Sequence, residues 1–251
     1  TLTLAGNVTL TANGDGAIGA AIAGKLAIGG ATRTFSVANG LATDDLTVSA
    51  VISGTGGLTK TTAGQLKLSA TNLYTGATTI TTGTLNANSS AALGDGSATN
   101  TLTFGGGTLQ AGGTIASPAT RGVTMTAAGV FDTNGNDISI AGIVGGAFAL
   151  TKNGAGTLTF SNTNTYTGLT TINAGTLIAA SNGALGTVAG GTTVNNGATL
   201  GFSGVTYSTT EAVTVNGTGD AANSRAGAID NISGTSTFAG NITQGTAATL
   251  G

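Results

Sequence analysis

"LTKNGAGTLTFSNTNTYTGLTTINAGTL" occupies residues 150–177, and nearly the same string, "LTKTTAGQLKLSATNLYTGATTITTGTL", occupies residues 58–85. When residues 54–85 are placed on residues 146–177 without a gap, 19 of 32 positions are identical. A long repeat of this kind indicates a fold in which each unit buries its surface against neighbouring units.

The similarity reaches beyond these stretches. Copies at 44–94 and 136–186 keep the same alignment, and "TSTFAGNIT" at 235–243 echoes "TLTLAGNVT" at 1–9. We therefore interpret residues 1–251 as a single continuous segment. Because the chain starts with Thr rather than Met and opens without a signal peptide, we expect it to be part of a larger chain.

The composition excludes several classes of protein. Gly supplies 45 of 251 residues and charged residues only 6%, yet 39% are apolar, which is unlike a disordered chain. Seven Lys and Arg at a net charge of −2 argue against nucleic-acid binding. The absence of Cys and His removes disulfides, thiolate metal sites and the commonest general base, so we expect no cofactor. The longest apolar run, residues 141–150, is too short for a membrane span.

The local pattern predicts short strands. Segments such as "TLTF" and "QLKL" alternate polar and apolar residues, with Thr outward, and Asn-Gly pairs mark the turns between them. Hairpins of a sandwich or barrel are one interpretation. The ungapped repeat favours a β-solenoid, in which like residues stack on like residues and 92 residues hold about four coils of roughly 20–25 residues.

The repeated pattern resembles a known family, the autotransporter-associated β-strand repeat, also called the passenger-associated transport repeat. The resemblance implies an all-β, right-handed parallel β-helix, secreted to the bacterial cell surface and often part of an adhesin. Two positions depart from the family pattern, because Thr62 and Phe148 stand where Gly is expected. The matching residues are Leu58, Lys60, Gly64, Leu66, Asn72, Tyr74, Gly76, Thr79, Gly83 and Leu85, and Leu150, Lys152, Gly156, Leu158, Asn164, Tyr166, Gly168, Thr171, Gly175 and Leu177.

Most of these residues have a structural interpretation. We expect Asn72 and Asn164 to hydrogen-bond backbone or neighbouring amides at a corner. Tyr74 and Tyr166 are expected to pack over neighbouring Gly residues, the alternative being an exposed platform for carbohydrate. Lys60 and Lys152 are interpreted as solvated, outward charges. Apolar residues predicted to form inward ladders are Leu58, Leu66, Leu68, Ile80, Leu85, Leu150, Leu158, Phe160, Ile172 and Leu177.

Other candidates are weaker. Asp15-Gly16 and Asp95-Gly96 suggest calcium, but neither has the full spacing of a calcium-binding β-helix repeat. Asp44-Asp45 could serve glycoside chemistry, but the second copy has Asn136-Asp137 at that position. The Thr-x-Thr pairs are scattered, so we expect no uninterrupted Thr ladder of the kind that binds ice.

The sequence therefore predicts a non-enzymatic structural or adhesive segment of an extracellular bacterial surface protein, with no catalytic, cofactor or metal site. Its expected partners are neighbouring repeats, identical chains stacked end to end, and host or matrix glycans. Two alternatives stay open. In the first, the repeats serve mainly secretion and folding. In the second, the solenoid acts on polysaccharides as pectate-lyase-type β-helices do.

Overall fold

The computed structural model describes residues 1–11 and 18–251, and in this part of the chain nearly all of the regular secondary structure is β-strand, with no α-helix. Two short 3₁₀ helices, Ser90–Leu93 and Ala221–Asn223, interrupt the strands. In chain order the strands are β1 (Leu2–Thr3), β2 (Val8–Leu10), β3 (Ala20–Ile22), β4 (Lys25–Gly29), β5 (Arg33–Val37), β6 (Leu46–Val48), β7 (Val51–Gly54), β8 (Leu58–Thr61), β9 (Gln65–Leu68), β10 (Leu73–Tyr74), β11 (Thr78–Ile80), β12 (Thr84–Ala87), β13 (Leu102–Phe104), β14 (Thr108–Ala111), β15 (Ile115–Ser117), β16 (Val123–Met125), β17 (Gly129–Asp132), β18 (Ile138–Ile140), β19 (Val144–Gly146), β20 (Leu150–Asn153), β21 (Thr157–Phe160), β22 (Thr170–Ile172), β23 (Gly175–Ala179), β24 (Thr192–Val194), β25 (Ala198–Ser203), β26 (Thr206–Tyr207), β27 (Val213–Gly217), β28 (Ile229–Ser233), β29 (Thr237–Phe238) and β30 (Ile242–Ala248).

The strands stack as a parallel β-solenoid, which confirms the predicted architecture. Each coil visits three sides in turn, and each strand pairs in parallel with the strand one coil away. One side is a continuous eleven-stranded sheet from β3 to β30. The second is a seven-stranded sheet followed by a two-stranded one, and the third is a four-stranded sheet followed by a six-stranded one. The right-handed winding and the assignment of residues 1–251 to one segment stay predictions.

The coil length is close to the predicted value but not constant. Along the eleven-stranded sheet, stacked partners are separated by as few as 19 residues (Leu66 to Leu85) and as many as 31 (Gly217 to Ala248). Short Thr-, Val- and Leu-rich strands with Gly at the corners allow this variation, because a corner can gain or lose residues without disturbing the strands.

The interior is a stack of apolar side chains, and every residue of the predicted inward ladders is buried. Leu66 stacks on Leu85 in the first copy, and Leu158 stacks on Leu177 in the second. Full burial of each such side chain contributes about 1.5–3 kcal/mol. A run of aromatic rings continues the core from Phe104 through Phe131 to Phe160, with centroids 4.9 and 6.0 Å apart.

Corresponding strands of the two copies do not lie on the same side of the solenoid. Strand β8 of the first copy belongs to the seven-stranded sheet, whereas its counterpart β20 belongs to the eleven-stranded sheet. Likewise β9 lies in the eleven-stranded sheet and its counterpart β21 in the six-stranded sheet. The copies are therefore four coils and one further side apart. Like residues stack within each copy instead, about one coil apart, as Thr59 does on Thr79 and Thr151 on Thr171.

The expectation that the Thr residues form no uninterrupted ladder is wrong. On the seven-stranded sheet, β-pairing places Thr34, Thr59, Thr79, Thr103 and Thr124 in one outward column. On the eleven-stranded sheet, a second column contains Thr151, Thr171, Thr193, Thr214 and Thr243. Coils of 20 to 29 residues bring together Thr residues that look irregularly spaced in the sequence.

Candidate functional site: the two repeat units

The first repeat unit (residues 58–85) and the second repeat unit (residues 150–177) each wind through a little more than one coil. In both units a strand with Lys is followed by a strand with two inward apolar residues, then by the Asn-x-Tyr-Thr-Gly corner. The chain then returns to stack on the Lys strand, so that Ile80 lies beside Lys60 and Ile172 beside Lys152. Each unit thus supplies its own stacking partner.

The prediction that the lysines are outward and solvated is wrong, because both side chains are fully buried. The Lys60 ammonium donates to the backbone carbonyls of Thr61, Thr62 and Thr82 at 2.8, 2.7 and 3.4 Å. An ideal Cβ at Gly83 would stand 2.8 Å from Lys60 Nζ, so the glycine leaves room for the ammonium. The burial of Lys60 was predictable from the sequence, because Lys60 lies two residues after inward Leu58 and alternate residues of a strand point to the same face.

Lys152 occupies an equivalent cage in the second repeat unit. Its ammonium donates to the carbonyls of Asn153, Gly154 and Ala174 at 3.0, 2.7 and 2.9 Å. It also donates to the Thr133 hydroxyl one coil below, at 3.0 Å. The lysine therefore joins three consecutive coils at one corner.

Burial alters the protonation of these amines. It lowers the pKa of Lys60 to about 8, although Asp45 nearby acts in the opposite direction. Burial also lowers the pKa of Lys152 to about 8, opposed by Asp132, Asp220 and Asp137. Both amines are still mainly protonated at neutral pH, which suits a cage made of carbonyl oxygens.

These shifts predict that stability rises in mild alkali. Between pH 8 and 10.5 the unfolded lysines hold protons that the folded ones have lost, so the free energy of unfolding should increase with pH. Above pH 10 the trend reverses, since burial raises the pKa of Tyr74 to about 12 and folding then opposes tyrosine ionisation. Urea unfolding from pH 7 to 11 should show a maximum near pH 10. The variant with both Lys60→Met and Lys152→Met should lack the increase in stability between pH 8 and 10. An unchanged increase in that variant would show that the two buried lysines do not cause it.

Asn72 and Asn164 connect neighbouring coils, as predicted for backbone-bonding corner residues. The Asn72 side chain accepts from the Ile52 amide at 2.8 Å and donates to the Ala92 carbonyl at 2.7 Å. Each partner lies 20 residues away, one before and one after. Asn164 makes the same pair of bonds, with Val144 and Ala184, at 2.9 and 2.6 Å.

Tyr74 and Tyr166 are buried, which excludes the alternative of an exposed carbohydrate platform. Their hydroxyls bond the hydroxyls of Thr78 and Thr170 at 2.6 and 2.8 Å. An ideal Cβ at Gly76 or Gly168 would clash with the backbone of the coil below, so these corners require glycine. The corner that follows each buried tyrosine is therefore closely packed against the coil below.

Thr62 is strained at the position where the family has Gly. Its φ is +64°, while Gly154 at the equivalent site of the second unit has φ of +81°. A β-branched residue is disfavoured in this left-handed region by about 1–2 kcal/mol. Phe148, the other departure, lies with its side chain 44% exposed.

Replacing Thr62 by Gly should therefore stabilise the protein. We expect the free energy of unfolding to rise by about 0.5–1 kcal/mol, because relief of strain exceeds the added entropy of the unfolded chain. Urea midpoints measure the change. The matched control is Gly154→Thr, which should destabilise because its Cβ would clash with the Asn134 amide and the Asp132 carboxylate. A urea midpoint for Thr62→Gly below that of the unmodified chain would contradict the conclusion that Thr62 is strained.

The acidic candidates have structural roles. Asp44 pairs with Lys67 at 2.8 Å, and both Asp45 oxygens accept backbone amides, from Gly40 and Gln65. Asp95 accepts from Ser97 in its own turn. Asp15-Gly16 lies outside the described residues. Within residues 1–11 and 18–251 no three acidic side chains cluster as a metal site would require.

The sequence interpretation missed several buried charges outside the two repeat units, among them Arg121 and Glu211. Arg121 is 1% exposed and its guanidinium donates only to Ser90, Gly94 and Asn100. Glu211 is fully buried, accepts from the Thr192 hydroxyl at 3.0 Å, and has its pKa raised by burial. Each occurs once and in no repeated pattern, so no sequence signal marked them.

Comparison with protein families agrees with this geometry. The family model for the passenger-associated-transport-repeat matches residues 58–87 and 150–179. The chain carries two passenger-associated transport repeats. The matches begin at the Lys strand and end with the strand that stacks one coil later, so each passenger-associated transport repeat coincides with a self-stacking unit.

Comparison with curated proteins and with solved structures gives no match. In the described part of the chain no helix is long and apolar enough to cross a membrane. The two repeats and the parallel solenoid fit an autotransporter passenger segment, and repeats of this family imply secretion to the cell surface.

Proposed function

We propose that this chain is a rod-like structural segment of an extracellular bacterial surface protein, which extends and displays neighbouring parts of that protein. The observation that carries the proposal is the use of the repeat residues. Lys60, Asn72, Tyr74 and their counterparts are all buried and bond groups of the solenoid itself. The conspicuous repeated residues therefore hold coils together rather than face a ligand, and the rod has no need of catalysis.

We further propose that solenoid units follow one another along a fibre. The echo between residues 235–243 and 1–9 supports this, because strands of similar sequence would recur at a regular interval. Parallel strands at the end of a stack also keep unpaired backbone groups that a further coil can bond. Binding of host glycans stays a prediction, and the repeat tyrosines take no part in it.

Immunogold electron microscopy of intact source cells, with antibody raised against this chain, tests the proposed function. We expect label outside the outer membrane, recurring at a regular interval along thin appendages. Antibody against a cytoplasmic protein provides the control for cell integrity. Label that appears only after permeabilisation would contradict a surface role.

A role in transport is the second candidate, favoured by the family to which the two repeats are matched. Deletion of one whole coil distinguishes a transport role from a purely structural role. Deleting residues 60–79 joins Thr59 to Ile80, which takes the stacking position of Lys60. Deleting residues 194–214 removes a coil outside the repeats in the same way, because Val215 then takes the stacking position of Val194. A structural rod predicts equal export of both deletion variants, whereas a transport function predicts that only the first blocks export.

A further inference from the structure

The seven-stranded sheet presents a regular outward lattice of hydroxyl and methyl groups. Its first column consists of Thr34, Thr59, Thr79, Thr103 and Thr124, which pair in register without a bulge. The second column lies two residues further along each strand and contains Ser36, Thr61, Thr81, Gly105 and Thr126. Eight of these ten positions are Thr, in two columns across five coils.

The lattice has a fixed geometry. Neighbouring strands lie about 4.8 Å apart, and alternate residues along a strand lie about 6.7 Å apart, so the groups repeat in two dimensions. Backbone bonds continue this register into the second column, from Thr81 to Lys60 at 2.9 Å and from Thr126 to Phe104 at 2.8 Å. Threonine has few rotamers in a strand, so its methyl and hydroxyl groups stay in place.

The chemistry of this face disfavours other occupants. None of the ten positions is charged, so the lattice offers no complementarity to nucleic acid or to a charged protein. It contains no aromatic residue on which a sugar ring could stack, and none of the large exposed apolar residues lies in it. The face therefore offers a protein partner none of the apolar or aromatic anchors that supply most of the binding energy at protein interfaces.

We infer that this Thr lattice binds ordered water at the surface of an ice crystal. Methyl groups order the water next to them, and hydroxyl groups hydrogen-bond it. A rigid face with both groups at constant spacing can hold a water layer that continues into a crystal, because no side chain has to rearrange. The inference is independent of the proposed structural role, since a rod can lack this property.

Thermal hysteresis and partition of the purified chain into a slowly growing ice phase test the inference. We expect the unmodified chain to show both. Thr79→Lys places a charge at the centre of the lattice and should abolish both effects. Thr159→Lys, on the six-stranded sheet, is the matched control, because Thr159 is also an outward strand residue, and it should leave both effects unchanged.

Several outcomes would overturn the inference. One is an unmodified chain with neither hysteresis nor ice partition, and another is full activity in Thr79→Lys. Loss in Thr193→Lys but not in Thr79→Lys would move the site to the eleven-stranded sheet. Concentration-dependent dimers that Thr79→Lys dissociates, without any effect on ice, would show that the face binds a second copy. Urea midpoints of all variants distinguish loss of the lattice from loss of folding.

Discussion

Replacing Arg121 by Met should lower the free energy of unfolding by about 3 kcal/mol or more, the largest loss we expect from any single substitution. The Arg121 guanidinium is buried and donates to the carbonyl and side-chain oxygens of Asn100 at 2.6–3.2 Å. It also donates to the Ser90 carbonyl and hydroxyl at 3.1 and 2.8 Å and to the Gly94 carbonyl at 3.1 Å. Methionine fills part of the volume but leaves these buried acceptors without a donor.

The loss should be localised to one part of the solenoid. The Ser90–Leu93 helix and the turn after it replace a strand on the third side, between β10 of the four-stranded sheet and β15 of the six-stranded sheet. Arg121 reaches back 21 to 31 residues to this segment from the next coil. Without it, the segment should open while the strands on either side remain stacked.

Urea unfolding together with hydrogen exchange measures both effects. Exchange protection should fall most for residues 88–101. Arg225→Met is the matched control, because Arg225 forms only a partly exposed ion pair with Asp230 at 3.4 Å, and its loss should cost less than about 1 kcal/mol. Equal losses for the two variants, or exchange that rises evenly along the chain, would refute the local role of Arg121.

The fold was predictable because its signal is local and repeated. Strand alternation identified Leu66, Leu158 and the other inward residues, and the repeated unit identified a stacked architecture. The arrangement of the two units was not predictable, since it depends on coil lengths between them. Those lengths vary with turn residues at the corners, and a few residues more or less move a strand to the next side.

The candidate site was only partly predictable for the same physical reasons. Asn72 and Tyr74 belong to a recognisable motif. The bonding of Asn72 to neighbouring backbone is confirmed and Tyr74 is buried, while the packing of its ring over Gly76 stays a prediction. Lys60 was wrongly predicted to be exposed because charged residues usually are, although the alternation of side chains along its strand directs it inward. Arg121 and the Thr columns depend on contacts between residues 20 or more apart, which strand alternation within one segment does not report.

Lys152→Met should cost about 2–4 kcal/mol, the second largest loss we expect. Removing a buried ammonium relieves its desolvation, and replacing buried ions by apolar residues is neutral or favourable in some proteins. Here the acceptors are backbone carbonyls of Asn153, Gly154 and Ala174, whose orientation is fixed by the coil. The coil keeps them directed at the position of the lost ammonium, so their unpaired state should outweigh the relief of desolvation.

A graded series of lysine variants tests this reasoning. Lys60→Met should cost less than Lys152→Met, because Lys60 has two close acceptors and one at 3.4 Å and lacks a hydroxyl from the coil below. Lys67→Met, which removes a partly exposed pair with Asp44, should cost less than about 1 kcal/mol. Urea midpoints in the order Lys67, Lys60, Lys152, from smallest to largest loss, would support the carbonyl cage. A Lys152→Met protein as stable as the unmodified chain would contradict the predicted contribution of the cage to stability.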